Sequence, residues 1–167
     1  MIKIKPYHQK KWGFCGPVIL KIVMGYYGVY ASEKELIRLS DAHKRWGTSV
    51  SGMVSAAKHF GFGVFYKEDA SINDLKNYVL KKKMPVIVRW FFEDIGHYSI
   101  VVDVTDKNIV MVDPLNRIFK IIRKRIIPIE KFSRIWFDLA ESERRVALPR
   151  EIVRNFIMVL IPKNKKQ

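Results

Sequence analysis

The sequence predicts an α+β fold, a helical N-terminal lobe packed on a small antiparallel sheet, and three observations predict it. The first half carries apolar residues at helical spacing behind capping signals. From Pro85 onward the pattern changes to short β-branched runs, two of them separated by Asp106-Lys107-Asn108, a reversal that makes neighbouring strands antiparallel. The chain of 167 residues, 49% hydrophobic, has no internal repeat and no Pro/Gly/Ser linker, which predicts one domain over residues 1–167.

The elements follow in order. Gly16-Pro17 opens an apolar stretch through Val18, Ile19, Leu20, Ile22, Val23 and Met24, with Gly28 as its stop; proline is tolerated in a first helical turn because its missing N–H would be unpaired there. Ser32 and Glu35 have the spacing of a capping box ahead of Leu36, Ile37 and Leu39. A third helix is expected over residues 49–60, closed by Gly61, and a fourth after Ser71 and Asp74, leading into Leu75, Tyr78, Val79 and Leu80. Strands are expected over residues 86–88, 97–104 and 109–112. A fourth strand is expected over 118–122, after a return through Pro114-Leu115-Asn116, and a last one over 155–161. Residues 137–154 read as a polar, partly helical surface excursion and 163–167 as a basic tail.

Composition excludes several classes. With 28% charged residues and an ordinary apolar fraction, the chain is neither disordered nor fibrous, and no run reaches the roughly 18 apolar residues of a membrane span. The first six residues lack the apolar stretch of a signal peptide, which points to a cytoplasmic location. One cysteine makes neither an internal disulfide nor a cysteine-rich zinc site, and no metal or organic cofactor is expected. The net charge of +15 favours acidic partners, but Lys81-Lys82-Lys83, Arg123-Lys124-Arg125, Arg144-Arg145 and the tail lysines are scattered and read first as a solvated basic face. Without a helix-turn-helix, zinc-finger or RNA-recognition pattern, no nucleic-acid partner is predicted.

Cys15 lies just before the helix that Gly16-Pro17 opens, where unpaired N–H groups and the helix dipole favour a thiolate, the competent nucleophile. A lone cysteine is otherwise a small buried hydrophobe, so it needs partners. Of four histidines, His97 opens a predicted strand, whereas His8, His43 and His59 read as surface residues. Asp113 ends the following strand, and the hairpin between them brings Asp113 to the His97 end, where it would fix the imidazole and leave the other ring nitrogen to Cys15. Gln9, six residues before the cysteine, supplies a side-chain amide suited to a developing oxyanion.

These blocks carry a resemblance. Gln9-x5-Cys15-Gly16-Pro17 and Met24-Gly25-Tyr26-Tyr27-Gly28, then Gly47-Thr48-Ser49 and Ala56-Ala57-x3-Gly61-Phe62, resemble the papain-like peptidase domain that trims double-glycine leader peptides from bacteriocin precursors. The resemblance continues through Pro85-Val86-Ile87, Gly96-His97-Tyr98-Ser99, Val112-Asp113-Pro114 and Phe132-x3-Trp136, and so runs from Gln9 to Trp136. It departs at Phe14, where that family often carries aspartate. It implies a papain-like cysteine peptidase fold with Cys15 as nucleophile, His97 as general base and acid, Asp113 as its orienter and Gln9 as oxyanion donor. The reading is thus a stand-alone cysteine peptidase acting on a peptide or protein substrate, with Tyr26, Tyr27, Trp90 and Trp136 as core or cleft walls. A peptide-binding module without turnover, and an acyl transferase or amidase using the same groups, are the alternatives.

Overall fold

The computed structural model describes residues 1–45, 47–92, 95–118, 121–139 and 152–163. Helix α1 spans Cys15–Tyr26 and buries Val18, Ile19, Leu20, Ile22, Val23 and Met24. It starts at Cys15 itself, one residue earlier than the sequence predicts, because the Val18 N–H already donates to the Phe14 carbonyl at 3.2 Å across the turn that holds Pro17. In α2, Glu33–Leu39, the Ser32 hydroxyl accepts from the Glu35 N–H; in α3, Val50–His59, Ser49 accepts from Gly52. Helix α4, Ile72–Lys76, opens on a complete capping box between Ser71 and Asp74 and widens into a π turn over Asn77–Lys81.

The strands are β1 (Phe62–Lys67), β2 (Val86–Phe92), β3 (Ile95–Val104), β4 (Asn108–Ile118), β5 (Ile121–Pro128), β6 (Phe137–Leu139), β7 (Ile152–Arg154) and β8 (Ile157–Pro162), with α5 at Ile129–Ile135. Six form one antiparallel sheet in the order β1-β8-β2-β3-β4-β5. The last predicted strand is interior: Ile157, Met158, Val159 and Leu160 are all fully buried, as a strand covered on both faces must be. Helix α1 packs on β3 and β4, and α3 on β1. The α+β expectation therefore holds.

Three expectations are corrected. The segment 118–122 is not one strand: Ile118 pairs with Ile121, closing β4 against β5, and its apolar, β-branched residues carry no punctuation to mark the reversal. Pro114-Leu115-Asn116 is no return either, because β4 runs through it to Ile118. The ladder to β5 is irregular between Val112 and Arg117, which spares a proline the N–H it lacks. The ends of the supposed excursion pair as β6 with β7, whereas 140–151, with Arg144-Arg145, and tail residues 164–167 lie outside the described residues. Strands β1 and β5 and helix α5 were not expected from the sequence.

Before α1 the chain lies along β3 and β4. Ile2 N–H donates to the Val102 carbonyl at 2.8 Å and Gln9 N–H to the Pro114 carbonyl at 3.1 Å. This path carries Gln9 to the end of the sheet where α1 begins.

Candidate active site

Strand parity places the side chains. In the antiparallel β3–β4 ladder Ile100 faces Val112, so Ser99 comes opposite Asp113 and His97 lies diagonal to it on the same face. Trp90 of β2 faces His97 directly, and Arg125 of β5 faces Met111, two residues before Asp113. One sheet face thus gathers Trp90, His97, Ser99, Asp113 and Arg125. The contacts agree: His97 Nε2 lies 2.8 Å from Asp113 Oδ1, Arg125 Nε donates to Asp113 Oδ2 at 2.8 Å, and Trp90 Nε1 donates to the Ser99 hydroxyl at 3.0 Å. The Arg125 guanidinium also sits over the Trp90 ring.

With Nε2 turned to the carboxylate, Nδ1 is the nitrogen left for the thiol, and Cys15 and His97 are close enough that each shifts the titration of the other. Burial pushes the Cys15 thiol up, but the hydrogen bond and charge of His97, with main-chain bonds at Tyr98 and Gly16, outweigh it and hold the thiol below its ordinary value. Burial pulls His97 down, yet Asp113 and Cys15 raise it to about 9. Asp113 is fully buried, which raises its carboxyl. The bond and charge of His97, the Leu115 N–H at 2.9 Å and Arg125 bring it below the usual carboxylate range. The arrangement favours a thiolate–imidazolium pair backed by a carboxylate.

Gln9 lines the same cleft and is 4% exposed. Its Nε2 donates to the Lys11 carbonyl at 2.7 Å, which uses one of the two amide hydrogens and fixes the amide plane. The cleft, about 810 Å³, is bounded on one side by Gln9, Trp12, Cys15 and Thr48 and on the other by His97, Tyr98, Leu115 and Asp138. The four residues named from the sequence therefore border one cavity or, for Asp113, support it from behind.

Several neighbours were not singled out. Arg125 belongs to a basic run read as solvated; only strand parity, available once the register is known, reveals that it faces Asp113. Asp138 is 5% exposed and accepts from Arg89 Nε at 2.6 Å; burial raises its carboxyl against the opposing charge of Arg89. Its carboxylate lies against the Cα of Gly96, where any side chain would overlap it. His43, read as a surface residue, is exposed but on the cleft rim. Trp90 and Trp136 are core residues, and Tyr26 and Tyr27 are half-buried. Glu93, Asp94 and Trp46, quoted beside these motifs, lie outside the described residues. Among the described residues no group of three His, Cys, Asp or Glu could hold a metal ion, and no helix is long and apolar enough to cross a membrane.

Residues 3–140 match the Peptidase C39 family. An uncharacterized protein of Methanothermobacter marburgensis is 34% identical over 101 residues, which are 60% of this chain and 64% of that protein. The peptidase domain of Streptococcus ComA, a bifunctional ABC transporter of a quorum-sensing pathway, superposes with a TM-score of 0.69 at 22% identity, over 98% of this chain and all of that one. A double-glycine-motif protease from a transporter, solved in complex with its leader peptide, gives 0.67 at 17% identity over 97% and 94%.

Proposed function

The chain belongs to the Peptidase C39 family, and on that premise we propose that it hydrolyses a peptide bond with Cys15 as nucleophile, His97 as proton carrier, Asp113 as orienter and Gln9 as oxyanion donor. The observation that supports this reading is the bond of His97 Nε2 to a buried Asp113 at 2.8 Å, with Cys15 electrostatically coupled to the same imidazole and both Cys15 and His97 lining one open cleft.

The Cys15 thiolate attacks the scissile carbonyl carbon, and the carbonyl oxygen becomes an oxyanion. The second Nε2 hydrogen of Gln9 and the Cys15 N–H donate to it. As the tetrahedral centre collapses the C–N bond breaks, and the imidazolium gives its proton to the leaving amine. His97, now neutral, takes a proton from the incoming water, whose oxygen displaces the sulfur and releases a carboxylate. Asp113 holds the ring in the tautomer both steps use. The substrate would be an extended peptide, and the leader peptide bound by the transporter protease is a chemical precedent.

The test is to incubate a proteome-derived peptide library with the wild type and with Cys15→Ala, reading new termini by mass spectrometry and the fold by circular dichroism. Cleavage by the wild type alone, with both proteins folded, is expected. Cleavage retained in the variant, or tight peptide binding by the wild type without new termini, would overturn the reading.

A further inference from the structure

Among the described residues three buried side-chain polar atoms lack a hydrogen-bond partner: Gln9 Oε1, Thr48 Oγ1 and Tyr27 Oη. Tyr27 packs away from the cleft, against Tyr26 and Phe62, but Gln9 and Thr48 both line it. Folded chains satisfy nearly all buried polar groups, because an unpaired one loses its hydration without a return. Two such atoms beside one cavity therefore point to a partner that arrives from the cavity.

Thr48 has the more informative surroundings. A Cβ built on Gly16 would lie 2.8 Å from the Thr48 Cβ and 2.9 Å from its Oγ1, so this side chain packs directly on the residue after the nucleophile. Its carbonyl accepts from the Tyr98 hydroxyl at 3.3 Å, tying it to the residue after His97. Thr48 thus bridges the cysteine wall and the histidine wall of the cleft while its hydroxyl bonds to neither. The residue is 7% exposed, and with no hydrogen bond holding χ1, a turn to another staggered rotamer swaps hydroxyl and methyl.

We propose that Thr48 is a substrate-binding residue whose hydroxyl hydrogen-bonds the main chain of the bound peptide beside the scissile bond; this rests on the peptidase reading. A position against Gly16 puts the hydroxyl within reach of the peptide units flanking the carbonyl that Cys15 attacks. A neutral hydroxyl, donor and acceptor at once, suits an amide rather than a charged side chain.

The test compares two alkylating probes on the wild type, Thr48→Val and Thr48→Ser: iodoacetamide, which reads the thiolate alone, and a panel of acetyl-dipeptidyl chloromethyl ketones, which must first seat a peptide main chain. Thr48→Val should lower the rate with the best ketone about tenfold and the iodoacetamide rate less than twofold, and Thr48→Ser should recover most of the loss. Because Val removes an unpaired hydroxyl without changing shape, the thermal midpoint of Thr48→Val should equal or exceed that of the wild type. An equal fall with both probes, or no fall with either, overturns the inference while leaving the peptidase reading intact. A wild type that shows no preference for the ketones over iodoacetamide, measured against a free thiol, overturns both.

Discussion

Two buried carboxylates flank His97, and each faces an arginine, yet their acidities move in opposite directions. Asp113 takes bonds from His97, Arg125 and the Leu115 N–H and is held below the usual range. Asp138 takes bonds from Arg89 and the Leu139 N–H, and burial raises it. Burial is similar; the difference is the kind of donor, above all a directly bonded imidazole that can itself be charged. One carboxylate is built to stay ionised behind an imidazole. The other braces a wall: it fills the space Gly96 leaves and ties β6 to β2 through Arg89.

The largest effect is expected at the first carboxylate. Asp113→Asn should lower kcat by roughly 10²-fold or more and reduce the fraction of Cys15 present as thiolate. In the wild type the reactive pair forms above the lowered cysteine pKa and is lost as pH rises through about 9, where His97 gives up its proton. Asp113→Asn should move the upper limb of the pH profile of peptide cleavage to lower pH, because the carboxylate is one of the groups that raise His97; an unchanged upper limb would mean that Asp113 does not act through His97. Next, Gly96→Ala should destabilise by about 1–3 kcal/mol, read by denaturant unfolding, because the new methyl group overlaps Asp138. The same change in an Asp138→Ala background should cost much less, and strict additivity would show that the two do not touch.

Arg125→Gln should lower kcat about tenfold through a looser Asp113 and move the upper limb of the pH profile, with KM little changed; a pure KM effect would make Arg125 a substrate contact instead. The smallest effect on rate belongs to Asp138→Asn, within about threefold, with a lower thermal midpoint because Arg89 loses its counter-charge. A rate loss comparable to that of Asp113→Asn would erase the distinction between the two carboxylates.

The helical half was legible because its signals are local: Ser32, Ser49 and Ser71 accept where their spacing says they should, and α1 needs only its own apolar period. The sheet was legible where β-branched runs stand between turn residues, as at Asp106-Lys107-Asn108. It was not where Ile118, Ile121 and Ile122 read as one run, since a reversal without Gly, Pro or Asn leaves no mark. Of the candidate site, Cys15, His97, Asp113 and Gln9 stood out as chemistry-bearing residues in a familiar order. Arg125, Thr48 and Asp138 did not, since a basic run, a loop threonine and a polar stretch are each ordinary on their own.

The sequence by itself determined the helices, most strand segments and which chemistry-bearing side chains the chain offers, because residue type and near spacing are properties of the chain alone. Only the tertiary structure decided which face of β3 turns toward Asp113, which arginine answers which carboxylate, and which hydroxyl is left unpaired beside the cleft that Cys15 lines. Those follow from register and from the path of residues 1–14 across the sheet, and a pairing between residues a hundred positions apart is fixed by packing rather than by anything either residue's neighbours encode.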